Sequence, residues 1–257
     1  MSKKLIVANW KMHFTTGQAS LFLQKLAEQV PNYRDVEVVL CPNFIALQSL
    51  SLQINHRQFK LGAQNCYDKD EGAFTGEVAA SMLRGLVHYV IVGHSERRHI
   101  FGETDKTIAQ KVQAVLRNQM KPILCIGETK QERVDDETSQ VIHEQISAGL
   151  ANVTSEEISD LVIAYEPVWA VGSDDADSAQ DVEKVVSLIR KNIKAMFGNE
   201  AAEQVQILYG GSVDGANCGP YIHAAGVDGL LVGGASLKAK SFAAIIYAAH
   251  AAVRYNV

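Results

Sequence analysis

Cysteine is scarce: Cys41, Cys66, Cys125 and Cys218 are scattered over 257 positions and form no C-x-x-C pair. That scatter argues against a zinc site and against the disulfide framework of a small secreted domain, so reduced thiols are expected. Long apolar runs are missing as well. The first run, over residues 5–8, follows Lys3 and Lys4 but is cut off by Asn9, Trp10 and Lys11, short of a signal peptide or a membrane span. A cytoplasmic chain with no membrane partner is the expectation. Positive charge is not in excess: the net charge is −5, which removes any general attraction to nucleic acid or anionic lipid, so any anion site must be local. The sequon Asn152-Val153-Thr154 reads as chance without a secretory signal. No G-x-G-x-x-G, Walker A or H-E-x-x-H pattern occurs, and Gly210-Gly211-Ser212-Val213-Asp214 has an acid where a nucleophile elbow needs glycine. Dinucleotide, nucleoside triphosphate, zinc-protease and serine-hydrolase chemistry therefore lack their usual residues.

What is present is a globular composition, 47% hydrophobic and 21% charged, sufficient for a large core. Short runs rich in branched residues recur at 5–8, 36–40, 89–92, 123–126, 161–164, 205–208 and 230–232, with a weaker one at 59–63. Such runs suit strands buried on both faces, and about eight at roughly 30-residue spacing is the rhythm of βαβ units. Helix-period segments lie between them. The clearest sets Val182, Val185, Val186, Ile189, Ile193 and Phe197 on one face, entered through Ser178-Ala179-Gln180-Asp181 as a capping box. Others carry Phe22, Leu26 and Val30, or Ile108, Val112, Val115 and Leu116, and Thr129 to Glu132 reads as a further cap. An open doubly wound sheet and a closed barrel both satisfy this alternation. Eight units in about 250 residues favour a (β/α)8 barrel, one domain over 1–257 with no linker.

Informative residues fall just past the carboxyl ends of the runs: Asn9 and Lys11, Asn65, His94 and Glu96, Glu128, Glu166, Gly210 to Ser212, and Gly233 with Gly234. A barrel gathers such positions around one mouth. Glu166 stands between an apolar strand and Pro167, where apolar surroundings are expected to raise its basicity toward that of a carbon-acid base. His94 precedes Ser95, read as the N-cap of a short helix whose positive end disfavours imidazolium and leaves a neutral hydrogen-bond donor. Lys11 offers a fixed ammonium to a phosphate or a developing oxyanion, with Glu96 as the group that holds it in place. Glycine pairs after the seventh and eighth runs suit phosphate binding by backbone N–H groups beside a short helix. These residues fit a proton-moving isomerase; a different phosphosugar enzyme, or a noncatalytic phosphate-ligand sensor, would share only part of them.

In combination the chain resembles the triosephosphate isomerase family from end to end. The motifs are Asn9-Trp10-Lys11, Gly62-Ala63-Gln64-Asn65, Gly72-Ala73-Phe74-Thr75-Gly76-Glu77, Gly93-His94-Ser95-Glu96-Arg97-Arg98, Cys125-Ile126-Gly127-Glu128, Tyr165-Glu166-Pro167-Val168-Trp169, Tyr209-Gly210-Gly211-Ser212 and Val232-Gly233-Gly234. The resemblance implies interconversion of glyceraldehyde 3-phosphate and dihydroxyacetone phosphate on a TIM barrel, in glycolysis and gluconeogenesis, without cofactor or metal. It implies Glu166 as the base, His94 as the electrophile, and Lys11 with Asn9 as oxyanion and substrate contacts. Gly172, Ser212, Gly233 and Gly234 match the family's phosphate gripper, and residues 167–179 its closing loop. Thr75 matches a loop that enters a neighbouring subunit, implying a homodimer. One departure stands out: Asp174, Asp175 and Asp177 replace a near-neutral or basic loop tip, which is expected to weaken closure over a dianion.

Overall fold

The structure, a computed structural model, describes residues 3–170 and 177–255. All eight apolar runs form strands: β1 (Lys4–Asn9), β2 (Val36–Cys41), β3 (Lys60–Ala63), β4 (Tyr89–Val92), β5 (Lys121–Ile126), β6 (Val162–Tyr165), β7 (Gln206–Tyr209) and β8 (Gly229–Val232). They pair in parallel in sequence order, and β8 closes on β1 through Leu5 opposite Gly229 and Ala8 opposite Val232. At that seam a Cβ on residue 229 would lie 1.8 Å from the Leu5 carbonyl oxygen, so only glycine lets the two strands meet.

Strand alternation divides the core in two. Leu5, Val7, Val39, Cys41, Ile91, Ile123, Cys125, Val162, Ala164, Leu208 and Leu231 are among the side chains that fill the barrel interior. Their neighbours, such as Ile6, Leu40, Val90, Leu124, Ile163, Ile207 and Leu230, face outward into a second, larger cluster with the helices. The helix Ala179–Phe197 buries Val182, Val185, Val186, Ile189 and Ile193 as its periodicity requires. Asp105–Arg117 likewise buries Ile108, Val112 and Val115.

Two caps differ in detail. Thr129 and Glu132 make the full reciprocal box ahead of Lys130–Val134. At Ser178 only half of the expected box forms: its hydroxyl accepts from the Asp181 amide at 3.1 Å and donates to the Asp181 carboxylate at 2.8 Å. Aspartate is one methylene too short to turn back to the cap's own amide. Among the described residues no helix is long and apolar enough to cross a membrane, and all four cysteines are buried and free.

Candidate active site

The inward parity of the strands continues past their carboxyl ends and presents the polar residues to one cavity. On β1, Leu5 and Val7 point inward, and Asn9 and Lys11 follow at the same period of two. The turn is held locally. Asn9 Oδ1 accepts the Lys11 amide at 3.0 Å, the Gln64 side-chain amide donates to the Lys11 carbonyl at 2.9 Å, and Lys11 itself takes φ of 52°. A lysine in that left-handed region is disfavoured unless its surroundings fix it, and here both flanking polar contacts do so. Its ammonium reaches Glu96 Oε1 at 2.5 Å, the pairing expected of Glu96.

On β6, Val162 and Ala164 point inward and Glu166 comes next in the same phase. On β4 the phase runs Tyr89, Ile91, Gly93, which would leave His94 facing outward. Gly93 prevents this: its φ of 68° turns the chain so that His94 enters the mouth instead. His94 Nε2 then lies 3.2 Å from Glu166 Oε1, with both side chains almost wholly buried.

The N-cap of the helix Ser95–His99 is His94, not Ser95 as its sequence indicates. The ring Nδ1 takes the capping acceptor's place and receives the Glu96 amide at 3.2 Å. Ser95 sits one position later and donates its own amide to Glu166 Oε2 at 3.4 Å. Because Nδ1 is an acceptor, the geometry assigns the ring proton to Nε2, facing Glu166.

The electrostatics depart from both expectations. Burial raises the Glu166 pKa, but His94, the Cys125 thiol and the Ser95 amide outweigh it, and the carboxyl is held below the usual glutamate value. Burial lowers the His94 pKa, but the charge of Glu166, the hydrogen bond to it and the charge of Glu96 together more than reverse that, so the ring is shifted upward while His94 and Glu166 are in contact. The apolar strand end thus supplies burial without leaving the carboxylate unpartnered.

The cavity, about 400 Å³, is lined by Asn9, Lys11, His94 and Glu166 together with Gly210, Ser212, Gly233 and Gly234. Gly210 is needed for proximity: a Cβ there would stand 2.9 Å from Glu166 Cγ. Gly210→Ala is expected to lower turnover by about tenfold or more through displacement of the carboxylate, with a stability cost of about 1–3 kcal/mol. Parallel kinetics and thermal unfolding measure the two. Gly233 lies beside Lys11, 3.5 Å from Cε for a built Cβ, and leads into a short 3-10 helix, Gly234–Leu237.

Not every residue past a strand end lines this cavity. Asn65 accepts instead from the buried ammonium of Lys111 at 2.8 Å. Glu128, fully buried, accepts from the Tyr165 hydroxyl at 3.1 Å, the Trp169 indole at 3.3 Å and Arg133 at 3.3 Å, which pins the segment just after Glu166. Thr75 lies on an exposed loop away from the cavity of its own chain. Gly172, Asp174 and Asp175 lie outside the described residues. Asp177 is described, and it is buried against Arg133 at 3.1 Å. Arg133 offsets part of the charge that Asp177 adds, but Glu128 and Asp181 share that guanidinium, and burial with their charges pushes the Asp177 carboxyl above its usual range.

Sequence reasoning missed three contributors. Cys125 is read from sequence as a reduced thiol and as part of a family motif, with no role at the base, yet its buried thiol lies beside Glu166 and helps hold that carboxyl below its usual value, while burial followed by the Glu166 charge keeps the thiol protonated. Lys238 and Ser241 line the cavity from the segment after Gly234. The inward phase of Ile123 and Cys125 was a usable signal for the first; nothing in the local pattern marked the other two.

Comparison with known proteins agrees with this arrangement. The family model described as triosephosphate isomerase matches residues 4–249. A triosephosphate isomerase of Symbiobacterium thermophilum is 45% identical over 250 residues, 97% of this chain and 98% of the relative. Those of Alkaliphilus metalliredigens and Clostridium tetani are 43% and 41% identical over 247 residues, 96% of this chain, and 99% and 96% of the relatives.

Proposed function

Because this chain belongs to the triosephosphate isomerase family, we infer that its barrel mouth interconverts D-glyceraldehyde 3-phosphate and dihydroxyacetone phosphate with Glu166 as the base. The interconversion moves a proton between adjacent carbons. Glu166 takes the proton from the carbon next to the carbonyl, an enediolate forms, and Glu166 returns the proton to the neighbouring carbon. His94 donates from Nε2 to the oxygens on which charge develops, and Lys11 offsets that charge and the phosphate dianion. Asn9 completes the polar wall. Ser212, Gly233 and Gly234 hold the phosphate through the backbone, and Gly172 is assigned to the same grip by family likeness. A substrate lying between ring and carboxylate breaks their contact. Burial and the Glu96 amide on Nδ1 then both favour the neutral ring.

The observation that carries this reading is the 3.2 Å approach of His94 Nε2 to Glu166 Oε1 in a cavity shared with Lys11 and the glycine turns. A coupled assay on glyceraldehyde 3-phosphate tests it; well-folded protein without activity would point to a phosphate-ligand sensor.

The same reading includes a single domain over 1–257 in a cytoplasmic homodimer that joins through the Thr75 loop. The four free thiols suit a reducing compartment. Support for the dimer comes from apolar side chains left exposed in the segments that follow β1 to β4: Met12 at 95%, Ile45 at 76% at the start of the helix Phe44–Ser51, Phe74 and Met82 after β3, and Ile100 at 73% with Phe101 at 66% after β4. Exposed apolar residues in four successive strand-to-helix connections mark an association surface. Thr75→Arg is expected to move the sedimentation coefficient from dimer to monomer and to lower activity; an unchanged dimer would remove the Thr75 loop from the interface.

A further inference from the structure

The opposite mouth of the barrel, where the strands begin, carries charge that the isomerase chemistry leaves unused. Two grooves of about 460 and 500 Å³ meet there and share Lys3, Glu37 and Lys60 in their linings. Five cations line the pair, Lys3, Arg34, Arg57, Lys60 and Lys121, against one carboxylate, Glu37, in a chain of net charge −5. Lysines at strand starts ordinarily serve solubility or stability, and two of those here are satisfied in that way. Lys121 pairs with Asp160 at 3.3 Å, and Lys4 donates to the Val227 carbonyl at 2.5 Å. Lys3, Arg34, Arg57 and Lys60 make no ion pair among the described residues. Glu37 does not compensate them freely, since it is engaged by the Tyr89 hydroxyl at 2.5 Å.

The positive field at this mouth acts on a titratable neighbour. The rings of His56 and His88 are 6.3 Å apart at the groove edges. Burial lowers the His88 pKa, and the charges of Lys60 and His56 lower it further against the opposing pull of Glu37. A concave, half-enclosed surface with four unpaired cations is matched by a compact ligand bearing several negative charges. An extended polyanion is disfavoured by the acidic remainder of the chain.

We propose that the amino-terminal mouth of the barrel is a second anion site that binds a small molecule carrying two or more linked phosphate groups. Lys3, Arg57 and Lys60 are its principal contacts, with His56 and His88 at its edge. The site is separate from the catalytic cavity, which lies at the other end of the strands.

The test uses sodium tripolyphosphate as the probe, titrated calorimetrically into the enzyme in saturating glycerol 3-phosphate, which fills the catalytic phosphate subsite. Saturable binding is expected, about tenfold or more weaker in Arg57→Glu/Lys60→Glu, with isomerase kcat/KM unchanged in that variant. Proton NMR of the histidine rings should show the His88 pKa rising on binding. Should the double variant fold poorly, Arg57→Gln, at an exposed position, is expected to weaken binding while keeping the native unfolding profile. Absence of saturable binding, competition with glycerol 3-phosphate, or equal affinity in the charge-altered variants would overturn the proposal.

Discussion

Glu166→Asp is expected to lower kcat by about 10²-fold or more while leaving KM nearly unchanged. The backbone at this position has no freedom to follow the shortened side chain. Its amide is bonded to the Ile126 carbonyl at 2.7 Å, and a Cβ built on Gly127 would lie only 1.9 Å from its carbonyl oxygen, so neighbouring backbone already crowds it. The carboxylate therefore withdraws by about one bond length from the carbon it serves. The phosphate contacts at Ser212, Gly233 and Gly234 come after other strands and are not disturbed, which keeps binding intact. Steady-state kinetics in both directions, with a substrate-analogue titration to confirm affinity, separate loss of positioning from loss of binding. An equal rise in KM would instead assign Glu166 to substrate binding.

His94→Ala is expected to cost about 10²–10³-fold in kcat, the loss typical of removing a preorganised donor to a developing oxyanion. Alanine also removes the N-cap of Ser95–His99, a separate stability loss of about 1 kcal/mol. His94→Asn distinguishes the two. Asparagine is a good N-cap and restores an acceptor for the Glu96 amide, but its side chain is too short to replace Nε2. Thermal stability should return toward wild type while turnover remains low. Full recovery of turnover by asparagine would show that His94 acts only as a cap.

Much of this site was legible because a strand's period of two does not stop where its hydrogen bonds do. Leu5 and Val7 predict the inward phase of Asn9 and Lys11, as Val162 and Ala164 predict that of Glu166, Leu208 that of Gly210, and Leu231 that of Gly233. The eight apolar runs fixed the strands to within one or two residues, since burial on both faces leaves little else for such runs to form. His94 is the exception in phase, and only the left-handed turn at Gly93 brings it in. What failed was chemistry that depends on which strands become neighbours. Cys125 comes beside Glu166 because β5 pairs in parallel with β6, with Cys125 opposite Ala164 two residues before Glu166. The same neighbours reversed the expected rise in Glu166 basicity, because a sequence reports an apolar strand end but not the donors that converge on it. Asp177 followed the same rule: read alone it added charge to a loop, whereas the fold gives it Arg133.

In this mechanism the Glu166 carboxylate carries a proton between two carbons of the bound triose. The direct measurement is isomerisation in deuterium oxide, with isotope content read by NMR at both carbons of recovered substrate and product, for wild type and Glu166→Gln. Solvent deuterium should enter at the carbons that exchange protons in the wild-type reaction, and both turnover and exchange should collapse in the glutamine variant. Turnover without any label, or an unchanged rate in Glu166→Gln, would contradict the account.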